Sequence, residues 1–369
     1  MEQQTISQDT RSLKWNEVYS LAALNVAVVI SWIAYHEYQP HLIERFDLGN
    51  LTNFLIITKA LVLVLVPPLA GLLADQIMKK SGKYFIVFTV GIGATAMIFM
   101  VVATIIGAGP LSNIQVALPI MIVFWLISMN LFISPANSMI EAFAPVQKLP
   151  VVMGFLFLTT ELIYALEPLV VELVHFFGDT LTFVVGGVLI SGTGFLFHRI
   201  SSDEVIARKK ELLGLPSKTL SIAGFVTIIV IGLQLGLGKA LLIEFFPENI
   251  ESKFTDYANY ANYITFGLLG FAAVLAFFAG FMIQNMKLER VLIIAFIIQF
   301  IGIIVIVVSD TFSITMAGAI LTAGAFSFIN VSGLPFALKY LSVKHITYGV
   351  GIYIGSSEVV SGILEYLLR

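Results

Sequence analysis

Five charged side chains interrupt the long apolar stretches of this 369-residue sequence: Lys59, Glu161, Glu167, Lys239 and Glu358. Each of them opposes insertion into a bilayer by about 2.5–3.5 kcal/mol unless it is paired or hydrated. Two Lys against three Glu leave one carboxylate without a cationic partner, and burial favours the protonated form of such a group. The set therefore predicts ion pairs at membrane depth and one carboxylate that carries a proton.

Two of these carboxylates occupy the same position in a repeated segment. The nine residues Met153–Glu161 return 197 positions later as Val350–Glu358, and each copy places Gly, two hydroxyls and a carboxylate in an apolar run. At the same offset Phe132–Asn137 aligns with Ile329–Leu334. A duplicated acid at membrane depth is typical of two-fold repeated transporters. Chance similarity is the alternative, because Gly, Ser and Thr are common in packed spans.

Composition indicates an all-α polytopic membrane protein. The chain is 58% hydrophobic and 12% charged, whereas soluble domains carry about a quarter charged residues. It contains no Cys, which excludes disulfides, thiolate metal sites and thiol nucleophiles. Its net charge of −3 gives no support for a nucleic-acid partner.

Eleven apolar stretches are long enough to span a bilayer. They cover residues 15–38, 51–77, 84–107, 113–142, 150–177, 180–199, 219–247, 257–285, 288–308, 312–340 and 347–368. A long polar connection follows the sixth. We therefore expect an N-terminal six-helix bundle (1–199), a cytoplasmic linker (200–218) and a C-terminal five-helix bundle (219–369).

Lys and Arg are concentrated in the N-terminal tail and beside the loops that follow even-numbered spans, whereas the other loops are acidic. The positive-inside rule makes the basic segments cytoplasmic, in a plasma or inner membrane. The N-terminus is then cytoplasmic, and eleven spans put the C-terminus outside. The basic residues on this side are Arg11, Lys14, Lys79, Lys80, Lys83, Lys148, Arg199, Arg208, Lys209, Lys210, Lys218, Lys287, Arg290, Lys339 and Lys344.

The turn after the second span carries a recognisable pattern, Gly71-Leu-Leu-Ala-Asp75, followed by Gly82 and Lys83. It resembles the signature between helices 2 and 3 of the major facilitator superfamily. Gly71 lets helices approach, and Asp75 can cap a neighbouring helix N-terminus and pair with loop cations. These four residues are our predicted conformational latch, and an ordinary basic turn is the alternative.

The spacing from Asp75 to Gly82, and Pro68 before Gly71, look most like the sugar:cation symporter branch, which includes the melibiose and sucrose carriers. Na⁺-using members of that branch carry Asp where this chain has Leu63 and Pro67. This departure argues against Na⁺ coupling through that site, and the surplus carboxylate makes protons our expected coupling ion, with Na⁺ as the alternative. The second-half counterpart of the signature, residues 280–290, lacks the acid.

Resemblance to the superfamily implies two six-helix bundles around a central cavity lined by helices 1, 2, 4, 5, 7, 8, 10 and 11. The five charges of the opening set all fall in spans 2, 5, 7 and 11. The twelfth helix, which is peripheral in that arrangement, is missing from the pattern.

Several interpretations of the charged residues stay open. Lys59 and Glu358 lie at matching depths, so they could form an ion pair between the bundles that breaks during transport, or a permanent one. Lys239 could bind an anionic substrate group, pair with Glu358 or extend outward to the interface. Glu161 is expected to face the cavity, because its repeat mate is Glu358. Glu167 precedes a proline and could satisfy a local kink instead.

Other polar residues have weaker assignments. His36 and Glu37 could form an outer proton relay, or belong to an interfacial aromatic belt. Asn130, Asn137, Gln234 and Asn330 are candidate substrate ligands, although amides also serve as hydrogen-bond partners between helices. The spacing of potential ligands and nucleophiles predicts no metal, no cofactor and no enzymatic activity.

We therefore expect a secondary transporter that moves a small polar organic solute, a sugar or organic acid, by alternating access coupled to protons. Glu161 and Glu358 would carry or sense the proton, while Lys59 and Lys239 pair with them or meet substrate. A non-transporting membrane partner protein and an exporter of amphiphiles or drugs are the alternatives. The sequence does not predict the oligomeric state or the direction of transport.

Overall fold

The computed structural model describes residues 11–109, 117–213 and 221–367. These ranges are almost entirely helical, and short 3₁₀ segments join several of the helices. A five-residue π-helix, Leu241–Phe245, follows α8. The α-helices are α1 (Trp15–Arg45), α2 (Thr52–Ser81), α3 (Ile86–Ala108), α4 (Ala117–Ser138), α5 (Ile140–Phe143), α6 (Leu149–Ala165), α7 (Glu167–Leu213), α8 (Ile222–Ala240), α9 (Phe246–Lys253), α10 (Ala261–Ile283), α11 (Leu288–Val308), α12 (Phe312–Tyr340) and α13 (Ile346–Leu367).

The all-α, multi-pass architecture predicted from composition is confirmed. Among the described residues, ten helical segments are long and apolar enough to cross a membrane. The predicted eleventh span corresponds to α13, which is less apolar because it carries several hydroxyls and Glu358. Each predicted span falls largely in helix within the described ranges, while residues 113–116 of the fourth, 219–220 of the seventh and 368 of the eleventh lie outside them.

The predicted fifth span is not one continuous helix. α6 ends at Ala165, and α7 begins at Glu167 after a single intervening residue. Pro168 explains the interruption, because it has no backbone N–H and its ring would clash with the carbonyl of residue 164. A second break follows at Gly178, whose φ of +70° is non-helical.

Most of the predicted linker is helix, since α7 continues from the sixth span to Leu213. Residues 214–218 of that linker lie outside the described ranges. The Lys14 ammonium lies 3.2 Å from the Glu204 carboxylate, and that of Lys209 lies 3.7 Å from Glu141. Lys209 is only 3% exposed. The end of α7 is therefore fixed on the N-terminal helices by ion pairs.

The helices form two groups that meet along two main contacts. In the first group α7 packs on α1 and α3, and α4 packs on α2 and α3. In the second, α12 packs on α10 and α11, and α13 packs on α8. The groups touch chiefly where α2 crosses α13 and where α6 crosses α10.

These two crossings are equivalent, which supports the internal repeat. A Cβ atom on Gly71 would collide with the backbone carbonyl of Thr347, and a Cβ on Gly280 would lie 2.7 Å from the carbonyl oxygen of Pro150. Thr347 and Pro150 are 197 positions apart, which is the offset of the repeated segment.

A second pair of glycines gives the same correspondence. A Cβ on Gly351 would collide with the carbonyl of Pro67, and a Cβ on Gly154 would lie 2.6 Å from that of Ala276. Gly154 and Gly351 are again 197 positions apart. Pro67 and Ala276 are 209 positions apart, which is also the separation of Gly71 and Gly280. The alignment of α6 with α13 is therefore confirmed by contacts, and α2 corresponds to α10.

The close crossing of α2 and α13 is testable at Gly71. We expect Gly71→Val to lower the stability of the protein by about 1–3 kcal/mol, because the added side chain has no space between the backbones. The melting temperature of the detergent-solubilised protein measures this. Gly93→Val in α3 is the matched control, since a Cβ there meets nothing within 4 Å. An equal loss at both positions would contradict the assignment.

The buried ion pair of α7 gives a second prediction. Lys209→Met leaves the Glu141 carboxylate, 14% exposed, without its cation, and removing one partner of a buried pair costs about 3–5 kcal/mol. Lys339→Met breaks the exposed pair with Glu289, where we expect a loss below about 1 kcal/mol. Chemical unfolding of both variants measures the difference, and similar losses would show that Lys209 has no special role.

Candidate functional site

A cavity of about 460 Å³ lies between the two helix groups. Its walls come from α1, α2, α4, α6, α7, α8, the π-helix, α10 and α13. We call the end of the molecule that carries Lys79, Lys80, Lys83 and Lys344 the basic end. The glycine crossings lie towards that end, whereas the cavity extends to the opposite end, where exposed His36 and Asn262 line it.

Six of the predicted site residues line this cavity. They come from six different elements: His36, Lys59, Asn130, Glu167, Lys239 and Glu358. The fold thus brings together side chains that are up to 322 positions apart in the sequence. Several others lie elsewhere and are described below.

Lys239 and Glu358 form an ion pair at the cavity wall, with 3.3 Å between Nζ and Oε1. Their side chains are 35% and 19% exposed, so the pair is accessible from the cavity. Close helix packing positions it, because a Cβ on Gly236 would collide with the carbonyl of Ser357. Pairing of Lys239 with Glu358 was one of the alternatives. Lys59 is 8% exposed and lines the same cavity, and its pairing with Glu358 stays a prediction.

Glu161 and Glu167 lie in the reverse of the expected arrangement. Glu167 lines the cavity, whereas Glu161 is 9% exposed and lies beside the wall. The Glu161 Oε2 atom has no hydrogen-bond partner in the described chain. Glu161 belongs to α6 and Glu167 to α7, so the interruption at Leu166 lies between them. Lys239 interacts electrostatically with Glu161 and with Tyr164.

Tyr164 and Ser361 line the cavity and were not predicted as site residues. They are 197 positions apart, and each follows its repeat-related glutamate by three residues. Side chains three apart share a helix face. The repeat therefore contained the signal that could have found both.

Three predicted amide ligands are not among the described residues that line the cavity. Gln234 donates to the side chain of Gln299, which in turn donates to the Gln234 carbonyl at 3.4 Å. This exchange joins α8 to α11. Asn137 donates to the Ile133 carbonyl at 3.0 Å within α4, and neither Asn137 nor Asn330 is among the described residues that line the cavity. These helices are apolar on all sides, so the sequence did not indicate which face is internal.

At the opposite end, Glu37 has partners that sequence reasoning missed. Its Oε1 atom lies 2.8 Å from Nε2 of His175 and 3.8 Å from Nε2 of His41. His175 belongs to α7, and no local pattern links it to α1. The relay between His36 and Glu37 stays a prediction.

Asp75 caps the N-terminus of α13, as predicted. Its Oδ2 atom accepts a hydrogen bond of 2.9 Å from the backbone N–H of Tyr348, the third residue of that helix. Asp75 is 1% exposed, so this charge-assisted bond is shielded from water. Gly82 ends α2 with a φ of +66°, which suits glycine. Exposed Lys83 follows it.

His345, in the turn before α13, adds little positive charge beside this cap. Burial lowers the pKa of His345, and the nearby Lys79 lowers it further, while Asp75 acts in the opposite direction. The neutral imidazole is therefore favoured at neutral pH.

The cap should hold the basic end closed. A single cysteine replacing Ala74, which is 9% exposed beside Thr347, reports on opening because the chain has no other cysteine. We expect Asp75→Ala to raise its rate of reaction with a water-soluble maleimide about three- to thirtyfold, as for the loss of a helix cap. Asp75→Asn keeps an acceptor oxygen and should give a smaller increase.

The matched control is Ser81→Ala at the exposed end of α2, where the hydroxyl bonds only its own helix. Equal reaction rates in all three variants and the parent would exclude a role for the cap in closure.

The chain is similar in structure to several solved transporters. It aligns with the human organic anion transporter MFSD10 (TETRAN) at a TM-score of 0.70 and 11% identity, over 96% of this chain and 93% of the other. With the proton:xylose symporter XylE the TM-score is 0.61 at 12% identity, over 96% and 88%. With the E. coli fucose:proton symporter FucP it is 0.65 at 10% identity, over 95% and 90%.

Neither a protein-family model nor a curated protein sequence matches the chain. The three structural alignments cover nearly the whole of it, and the equivalent glycine crossings give it the internal repeat expected of that architecture. This protein therefore has the major facilitator fold, as the Gly71–Lys83 segment predicted.

Proposed function

We propose that this protein is a secondary transporter that moves a small polar organic solute by alternating access. The observation that carries the proposal is the cavity between two repeat-related helix groups, lined by an accessible ion pair and separated from the basic end by tight backbone crossings. Its volume of about 460 Å³ falls within the range of about 300–1,000 Å³ for small-molecule sites. Likeness in fold to organic anion and sugar transporters supports the same reading.

The lining favours a sugar or an organic acid as the solute. Asn262 and Thr265 offer hydrogen-bonding groups, and the Thr265 hydroxyl has no partner within the described chain. Asn130 also lines the cavity, although its amide nitrogen donates to the Leu126 carbonyl at 2.8 Å within α4. Lys59 and Lys239 offer cationic groups that could meet a carboxylate. A solute with several hydroxyls or one carboxylate would satisfy these groups.

Protons are our proposed coupling ion. Glu161 and Glu358 are the repeat-related carboxylates near Lys239, and one cation cannot neutralise both at once. Leu63 and Pro67 replace the acids that would hold Na⁺ in the branch that the chain resembles. By the positive-inside rule, we propose that the basic end lies on the cytoplasmic side of a plasma or inner membrane.

A ligand screen comes first, because the solute is the largest unknown. Sugars, carboxylates and nucleosides are added to the purified protein, and a bound solute raises its melting temperature in a concentration-dependent way. Lys239→Met should abolish the shift caused by a carboxylate. A shift that survives in Lys239→Met would remove that residue from the binding site.

Transport is then measured in proteoliposomes with an imposed pH gradient. We expect uptake of the stabilising solute to accelerate when the gradient is applied, and the double variant Glu161→Gln, Glu358→Gln to lose that acceleration, because neither amide exchanges a proton. Glu289→Gln, at the exposed pair with Lys339, is the control and should behave as the parent does. Unaltered gradient-driven uptake by the double variant would reject the coupling role. Binding without any uptake would favour a non-transporting protein.

A further inference from the structure

Lys239 stands between two carboxylates that the internal repeat makes equivalent. On one side it pairs with Glu358 at 3.3 Å. On the other side, Lys239 lines the cavity together with Tyr164 of α6, which lies three residues after Glu161. Glu161 and Glu358 are 197 positions apart and occupy the same position on α6 and α13. The described structure therefore pairs Lys239 with one acid of the repeat and brings it near the helix that carries the other.

The two acids differ sharply in how they are satisfied. Glu358 has the ammonium of Lys239 at hydrogen-bonding distance. Glu161 is 9% exposed, and its Oε2 atom has no hydrogen-bond partner in the described chain. A buried carboxylate without its bonds is costly, and that cost falls if a cation moves to it.

Lys239 and its two acids belong to different helix groups, so a movement of one group against the other would change the distances between them. Lys239 and Glu358 belong to α8 and α13 of the second group, whereas Glu161 belongs to α6 of the first. The cavity lies between the groups and extends to the end opposite the basic end. If that end closes, α6 approaches α8, and the distance from Lys239 to Glu161 shortens.

We propose that Lys239 exchanges partners, pairing with Glu358 when the basic end is closed and with Glu161 when the opposite end is closed. This inference rests on the proposed alternating access. It adds Lys239 as the residue that links the change of conformation to the pairing of the two carboxylates. Each conformation then leaves one of these two carboxylates without Lys239. Tyr164, one turn from Glu161, lines the same cavity as Lys239.

The surrounding charges set the background for this exchange. Those that line the cavity or act on the cluster from other elements are His36 of α1, Lys59 of α2, Glu167 of α7 and Glu244 of the π-helix.

The test measures conformation rather than transport, so it needs no identified solute. Spin labels are attached to Lys80→Cys and Lys344→Cys, two exposed positions at the basic end of the cysteine-free chain. Pulsed dipolar spectroscopy of the full chain in nanodiscs gives the populations with short and long label separations. A short separation reports a closed basic end.

We expect two carboxylate variants to shift these populations in opposite directions. Glu358→Gln removes the partner used in the closed state and should raise the long-separation population about fivefold or more. Glu161→Gln removes the partner used in the other state and should lower it by a similar factor. In a Lys239→Met background both substitutions should lose their effect. Glu167→Gln is the matched control for a cavity carboxylate outside the exchange, and Lys239→Met should leave its effect unchanged.

Each remaining outcome overturns the inference in a recognisable way. Shifts in the same direction, or shifts that persist without Lys239, would exclude the exchange while leaving alternating access intact. A single short separation in every variant would exclude both the exchange and the proposed transport cycle.

Discussion

The structure depends on helices that cross at backbone distance, because glycine is present where a side chain would collide. Gly71 and Gly351 bring α2 against α13, and Gly154 and Gly280 bring α6 against α10. In a bilayer, apolar side chains gain little from leaving lipid for protein, so close packing and hydrogen bonds hold helices together. Gly236 does the same for α8 and α13, and thereby positions Lys239 beside Glu358. The closed basic end and the ion pair at the site therefore share one cause.

Two ion pairs of this protein differ in burial, and this difference suits one to a permanent structural role and the other to breaking and re-forming. The side chains of Lys209 and Glu141 are 4% and 14% exposed at the end of α7, where packing leaves them little freedom. Those of Lys239 and Glu358 are 35% and 19% exposed to the cavity. Water or solute can replace either partner of the second pair at lower cost, because the separated charges are partly hydrated. The Lys239–Glu358 pair is thus suited to an exchange of partners, whereas the Lys209–Glu141 pair is suited to holding the end of α7 in place.

Much of the fold followed from local sequence features. Hydropathy located the spans, the 197-residue offset aligned α6 with α13, and Asp75 was expected to cap a helix. The facing of Glu161 and Glu167, which lie on either side of the interruption at Leu166, was predicted the wrong way round. His175 beside Glu37, and Gln299 beside Gln234, depend on contacts between distant helices. Helices with uniformly apolar surfaces carry no periodicity that indicates such facing.

The repeat is not symmetric at the basic end, and this difference has a mechanical consequence. Asp75 corresponds to Gln284 at the 209-residue offset, so the crossing of α2 with α13 has a charged cap where the equivalent position has an amide. The start of α6 has Pro150, which has no backbone N–H and so leaves one donor fewer to satisfy. A hydrogen bond from a helix N-terminus to a carboxylate is stronger than one to a neutral acceptor, because the helix dipole also attracts the negative charge. Separation of the groups between α2 and α13 therefore requires the loss of this bond, which has no counterpart among the described hydrogen bonds between α6 and α10.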